Sequence, residues 1–197
     1  ISCSGSTCVS VFVNGLDLWC ANLGDSRAII GRKKGESWFS ACLSRDHKPT
    51  DPDEHDRILK SGGRVEPSRK MNGQYAGPDR VWLRNQPVPG LAMTRSFGDR
   101  VAARVGVLAE PEVKKLTLSS EDRFIVLASD GIWEHMSNLE VVKLVSVYYE
   151  MGDVERAANE LVSRATAHWR RNDQFIDDIT CVIAFLDQDS IPEFRGQ

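Results

Sequence analysis

Alternating apolar and polar positions open the chain and predict strands. Thr7 to Val13 is β-rich, Asn14-Gly15 is a strong hairpin signal, and Leu16, Leu18 and Cys20 alternate after it. Ser26 to Gly31 and Ser37 to Leu43 continue the pattern across a Lys33-Lys34-Gly35 turn. Sequential strands joined by tight turns predict an antiparallel sheet. A helix follows, with Thr50 or Asp51 as its cap, Pro52 in its first turn and Gly62 beyond its end. Its interior is highly charged (Asp53, Glu54, Asp56, Arg57), which predicts a surface helix. Val65 to Gly90 has little periodicity and several Gly and Pro residues, and reads as a long, mobile loop.

Strands are expected around Glu112 to Leu118 and at Phe124 to Ser129. Ser137 with Glu140 three residues on forms a capping box, and Leu139, Val142, Val145 and Tyr149 make one helical stripe. Asp153 can cap a second helix with Val154, Ala157, Ala158, Leu161 and Ala165 facing inward, before a last strand at Ile179 to Leu186 and a polar tail. Strands and helices are segregated rather than alternating, so the predicted class is α+β, with helices packed on antiparallel sheets.

Composition narrows the field without choosing a function. The chain has 197 residues, enough for one domain, and a net charge of −3 from 25 basic and 28 acidic residues. That balance gives no reason to expect nucleic acid or an anionic membrane as partner. No apolar run approaches the ~20 residues of a membrane-spanning helix. Five cysteines (Cys3, Cys8, Cys20, Cys42, Cys181) lack paired spacing, and most sit in apolar alternating segments as small hydrophobes. An intracellular setting, cytoplasmic or nuclear, is expected from them.

Two acidic sites share a local design. The apolar run Phe124 to Ser129 ends in Asp130-Gly131, and Asp177-Asp178 stands just before the strand at Ile179. Each puts a carboxylate at the end of a buried strand, where clustered carboxylates repel unless a cation intervenes. Hard oxygen ligands favour magnesium or manganese over zinc. Aspartates also cap turns and helices, so a structural reading stands beside the metal one. Asp25, in the turn between two strands, either joins such a site or pairs with Arg27. The four histidines (His47, His55, His135, His168) show no ligand or nucleophile spacing and read as surface or structural residues.

Eight blocks, in order, carry a resemblance. They are GST from Gly5, ANLGDSRA from Ala21, LSRDHKP from Leu43, GGRV from Gly62, PGLAMTRSFGD from Pro89, EPEV from Glu110, FIVLASDGIWE from Phe124 and DDITCVIAF from Asp177. In them the chain resembles the type 2C family of metal-dependent serine/threonine protein phosphatases, and the Arg80-Val-Trp82 segment is most similar to plant and protist members. The resemblance implies a sandwich of two antiparallel sheets flanked by helices and a pair of Mg2+ or Mn2+ ions, with a weaker third ion in some members. By position, Asp130 and Asp177 match ligands of the second metal, while Asp25 and Glu134 match the weaker third site. Asp178 stands where many members have Asn. The domain is expected to span 1–187, with 65–90 as a flap beside the active site and 188–197 as a tail; Met71 and Trp82 in the flap are candidate partner contacts, with packing of Trp82 on the sheet as the favoured alternative.

The family's phosphate-gripping Arg and its DGHGG segment have no match here, so the chain is expected to be the C-terminal two-thirds of the domain and inactive alone. Its expected partners are phosphorylated protein substrates and the N-terminal segment of the same protein. The function implied is hydrolysis of phosphoserine and phosphothreonine by the full-length protein. The rival is a non-catalytic, phosphatase-like binding or scaffold domain.

Overall fold

A computed structural model describes residues 3–69, 73–173 and 175–187. The elements begin with β1 (Gly5–Ser6), β2 (Cys8–Asn14), β3 (Asp17–Leu23), β4 (Arg27–Lys34), β5 (Ser37–Cys42) and α1 (Pro52–Lys60). Next come β6 (Gly63–Arg69), β7 (Tyr75–Leu83), β8 (Pro89–Leu91), β9 (Phe97–Gly98), α2 (Arg100–Ala103) and β10 (Glu112–Thr117). The last are β11 (Asp122–Ala128), α3 (Asp130–Trp133), α4 (Asn138–Tyr149), α5 (Val154–Asn172) and β12 (Cys181–Phe185). They form two compact units. Among the described residues, the first holds those up to Cys8, Asn22–Asp25 and those within Asp46–Glu112; the second holds Val9–Ala21, Ser26–Arg45 and those from Val113 on.

The second unit is organised by its two most apolar strands, β4 and β11. They pair antiparallel, with Ile125 opposite Ile30 and Val126 opposite Ile29, in a sheet of order β12-β11-β4-β5. One face (Ala28, Ile30, Ile125) packs on Leu18, Cys20, Leu43 and Leu118. The other (Ile29, Phe124, Val126) packs on Val141, Val142 and Val145 of α4 and on Ala157, Leu161 and Ala165 of α5. Both runs are continuously apolar because neither of their faces meets water, and fully burying a side chain such as Phe124 contributes about 1.5–3 kcal/mol. Antiparallel sheets flanked by helices agree with the α+β expectation.

The opening strands do not make one sheet. The β2–β3 hairpin, turning at Gly15 with φ +58°, lies with β10 in a three-stranded sheet, whereas β4 and β5 belong to the four-stranded one. Leu18 and Cys20 must bury their apolar side against Ala28 and Ile30, and facing layers do this where edge-to-edge pairing would not. The Ser137–Glu140 capping box forms, with the Ser137 amide donating to Glu140 at 2.8 Å. Leu139, in the first turn of α4, is exposed, and the buried stripe runs instead through Val141, Val142 and Val145. Asp153 accepts from the Arg156 amide at 2.9 Å; Val154 opens α5 one turn before the first buried position, Ala157, and stays exposed.

In the first unit α1 begins at Pro52 after Asp51, as expected, yet it is not simply a surface helix. Ile58 and Glu54 are fully buried, Ile58 against Val81, Ala102 and Val105. The loop expected over 65–90 is instead a three-stranded antiparallel sheet, β6-β7-β8, with Val65 opposite Val81 and Arg64 opposite Trp82. Its period is hidden by a register shift at Pro67/Ser68 and by Pro67 itself, which an edge strand tolerates because no ladder bond needs its nitrogen. Trp82 packs on this sheet and donates to the Glu66 carbonyl at 2.9 Å. Met71 and the tail at 188–197 lie outside the described residues.

All five cysteines are free. Cys20 is buried, and that burial pushes its thiol up to about 11, but Cys3, Cys8 and Cys42 are exposed and do not serve as core hydrophobes. Among the described residues, no helix is long and apolar enough to cross a membrane.

Candidate active site

The corner after β11 brings two of the expected carboxylates onto adjoining backbone. β12 runs antiparallel to β11 with Cys181 opposite Ala128, so the residues just before β12 return to the end of β11. There the Ser129 amide donates to the Thr180 carbonyl (3.1 Å), the Thr180 amide to Ser129 Oγ (3.1 Å), and Ser129 Oγ to the Asp178 carbonyl (3.1 Å). Asp130 is the first residue of α3 and is half-buried, whereas Asp177 is exposed. Asp177 Oδ1 accepts from the Asp178 amide at 2.8 Å, which orients the carboxylate.

Gly131 permits this approach. A Cβ there would collide with the Asp178 carbonyl oxygen. Two indoles hold the corner from below: Trp133 Nε1 donates to the Ala128 carbonyl (2.8 Å) and Trp169 Nε1 to the Gly131 carbonyl (2.6 Å). Glu134 follows one turn after Asp130, its amide donating to the Asp130 carbonyl at 2.9 Å, and its side chain is exposed. Gly131→Ala is expected to destabilise by about 1–3 kcal/mol, measured by denaturant unfolding. The sign is diagnostic, because helix propensity alone favours Ala by roughly 1 kcal/mol; a gain in stability would mean that 177–180 does not bear on Gly131.

Asp25 belongs to the first unit, where it is buried and accepts from Lys48 Nζ at 2.7 Å. Arg27, the partner weighed for it, donates to Asn138 at 2.7 Å and lies over the Trp133 ring. His47 fastens the turn that carries Asp25: the Gly24 amide donates to His47 Nδ1 (3.1 Å) and the His47 amide to the Gly24 carbonyl (3.0 Å). Burial and the nearby Arg95 hold the His47 imidazole below its ordinary range, despite Glu54 and Glu112. Its role is structural, as expected.

Sequence reasoning missed Glu54. This buried carboxylate accepts from Arg57 (2.7 and 2.6 Å), from Arg95 (2.7 Å to Oε1) and from the Thr94 hydroxyl, tying α1 to the Thr94-Arg95 part of the PGLAMTRSFGD block. Burial alone would push the Glu54 carboxyl up; the Arg57, Arg95 and Thr94 hydrogen bonds outweigh it and hold the group well below the usual carboxylate range. The Glu54-Arg57 spacing of i,i+3 was the available signal, but it does not reveal burial. The same block ends in Asp99, a buried residue with φ +41° that packs on Gly5 of the GST block, where a Cβ would strike its carboxylate.

Among the described residues, no three His, Cys, Asp or Glu side chains form a ready metal cluster. Asp130 and Asp177 are carboxylate oxygen donors on adjoining backbone, a chemistry that suits a hard divalent ion.

Residues 1–173 match the family model of protein phosphatase 2C. The chain belongs to the protein phosphatase 2C family. It is 44% identical over 187 residues to probable protein phosphatase 2C 73 of Oryza sativa subsp. japonica, covering 93% of this chain and 43% of that protein. It is 40% identical over 200 residues to probable protein phosphatase 2C 72 of Arabidopsis thaliana, covering 97% of this chain and 57% of that one. The serine-threonine phosphatase 2C of Toxoplasma gondii superposes with a TM-score of 0.80 at 26% identity, covering 93% of this chain and 59% of that structure. This protein phosphatase 2C chain thus spans about half the length of the curated relatives it matches.

Proposed function

We propose that the full-length protein hydrolyses phosphoserine and phosphothreonine in protein substrates, using hard divalent ions, Mg2+ or Mn2+, held in part by Asp130 and Asp177. Two ions are the expected number, with Asp25 and Glu134 assigned to a weaker third. The observation that carries this reading is the close backbone packing of Asp130-Gly131 against Asp177-Asp178 in a chain of this family. Bound divalent ions supply a water of lowered pKa and neutralise charge on the phosphoryl oxygens. Asp130 and Asp177 supply the negative charge that holds a cation at the sheet rim. The Asp178 amide orients Asp177, and Gly131 keeps the two backbone segments together. A scaffold would have no need for carboxylates at both positions.

The test is phosphate release from a phosphothreonine peptide by the full-length protein, with a chelator and then with Mn2+ or Mg2+ restored. Release should stop with chelator and return with either ion. Turnover indifferent to chelation would overturn the reading.

A further inference from the structure

Asp25, assigned above to a third ion, already has a cation in the first unit. It is buried, and among the described residues its side chain has one polar partner, the Lys48 ammonium, at 2.7 Å from Oδ2. An ionised carboxylate is acceptor-only, and burying one without a counter-charge is costly. Here a single lysine supplies that charge.

The backbone builds this pairing. The Gly24 amide and carbonyl both bond to His47, so the two segments are fastened side by side. Lys48 follows His47 as Asp25 follows Gly24, and the two side chains meet. Further bonds fix each segment: Asn22 Nδ2 donates to the Gly24 carbonyl at 3.1 Å, and the Thr94 amide to the His47 carbonyl at 2.9 Å. Gly24 has φ +106°, and a Cβ there would collide with the Thr7 side chain.

The ammonium itself is the replaceable part. The Lys48 side chain is 32% exposed, whereas that of Asp25 is 3% exposed. Lysine carries its charge at the end of a flexible four-carbon stem, so Nζ can leave for water while the His47–Gly24 bonds stay in place. A divalent ion binds carboxylate oxygen at about 2.0–2.6 Å. With Nζ at 2.7 Å from the same oxygen, volume and like charge both oppose that ion.

We propose that Lys48 is a tethered cation that holds Asp25 in place of a metal ion, and that Asp25 takes up a divalent ion only when the Lys48 ammonium swings out. Occupancy at Asp25 is then set by competition with the chain's own side chain, which makes an ion there weak. The proposal rests on the phosphatase reading for the presence of that ion, and it concerns occupancy rather than turnover.

The test is Mn2+ binding to the full-length protein, read from the EPR signal of free Mn2+. Lys48→Gln should bind its weakest Mn2+ at least tenfold more tightly than the unaltered protein. Lys48→Arg, which keeps the charge, should show no such gain, and Asp25→Asn/Lys48→Gln should lose it. Because Lys48→Gln leaves a buried carboxylate unpaired, it should melt earlier than the unaltered protein in chelator and recover in millimolar Mn2+. If Lys48→Gln does not fold without metal, that recovery becomes the readout, and its failure overturns the proposal. So does a Lys48→Gln variant that binds its weakest Mn2+ no more tightly than the unaltered protein, an equal gain in Lys48→Arg, or a gain that survives Asp25→Asn. Turnover of a phosphothreonine peptide is read alongside in the unaltered protein; its indifference to chelator would count against the phosphatase reading alone.

Discussion

Asp130→Asn in the full-length protein is expected to lower turnover of a phosphothreonine peptide by at least about a hundredfold, the scale lost with one preorganised electrostatic contact. The change removes a charge while nearly preserving shape, so it separates the two roles open to this residue. As a metal ligand, Asp130 holds its charge beside the Asp177 segment, and relief of repulsion keeps metal-free stability constant or raises it. As a structural cap it would instead cost roughly 0.5–2 kcal/mol on replacement and leave activity largely intact. Asp177→Asn should behave like Asp130→Asn, since its Oδ1 still accepts from the Asp178 amide and only the charge is lost. Asp178→Asn is the internal control, expected to be mild, because the Asp178 carbonyl rather than its side chain meets the Ser129 hydroxyl. Manganese titrations of turnover, paired with melting curves in chelator, read both quantities. Near-normal turnover in Asp130→Asn would sink the metal assignment.

Glu54→Gln is expected to cost about 3–5 kcal/mol of stability, the largest loss foreseen for a single side chain here. Glu54 is fully buried and carries the charge for two guanidinium groups, Arg57 and Arg95, that are themselves mostly covered. Removing the carboxylate leaves both cations without their counter-charge. The pH dependence gives the second readout. The folded carboxyl lies well below its ordinary range, so its contribution is fully present above the unfolded value of about 4.3. It is lost progressively as pH falls toward the folded value, because the unfolded chain takes up a proton that the folded chain refuses. The stability gap between the unaltered protein and Glu54→Gln should therefore be constant from about pH 6 to 8 and narrow below about pH 4.3. A gap independent of pH down to 3 would show that Glu54 acts through packing and not through charge.

Legibility in the sequence followed the range of the interaction. The β2–β3 turn at Asn14-Gly15, the Ser137–Glu140 capping box, the Asp153 cap and the start of α1 at Pro52 were all readable, because each rests on residues within three or four positions of one another. The runs at Ile29 and Phe124 were readable as strands for a related reason: burial on both faces leaves no polar position to interrupt them. The ordered blocks identified the family, and they held the candidate carboxylates Asp130, Asp177, Asp25 and Glu134.

What the tertiary structure decided are matters of facing and approach. Whether β3 and β4 pair or stack depends on which apolar sides meet, and alternation is identical in both cases. The β6-β7-β8 sheet was hidden because a register shift at Pro67/Ser68 breaks the period that marks a strand. Glu54 read as a surface charge because one of the guanidinium groups it holds, Arg57, stands three residues on, while the other, Arg95, is forty-one residues away and only folding brings it. Gly131 stood in the sequence only as the residue after Asp130, and the structure shows it as the point where the Asp178 carbonyl comes too close for any side chain. Sequence records local propensity and local hydrogen bonding; contact across long separations is set by the packing of whole layers, and no single residue carries its signature.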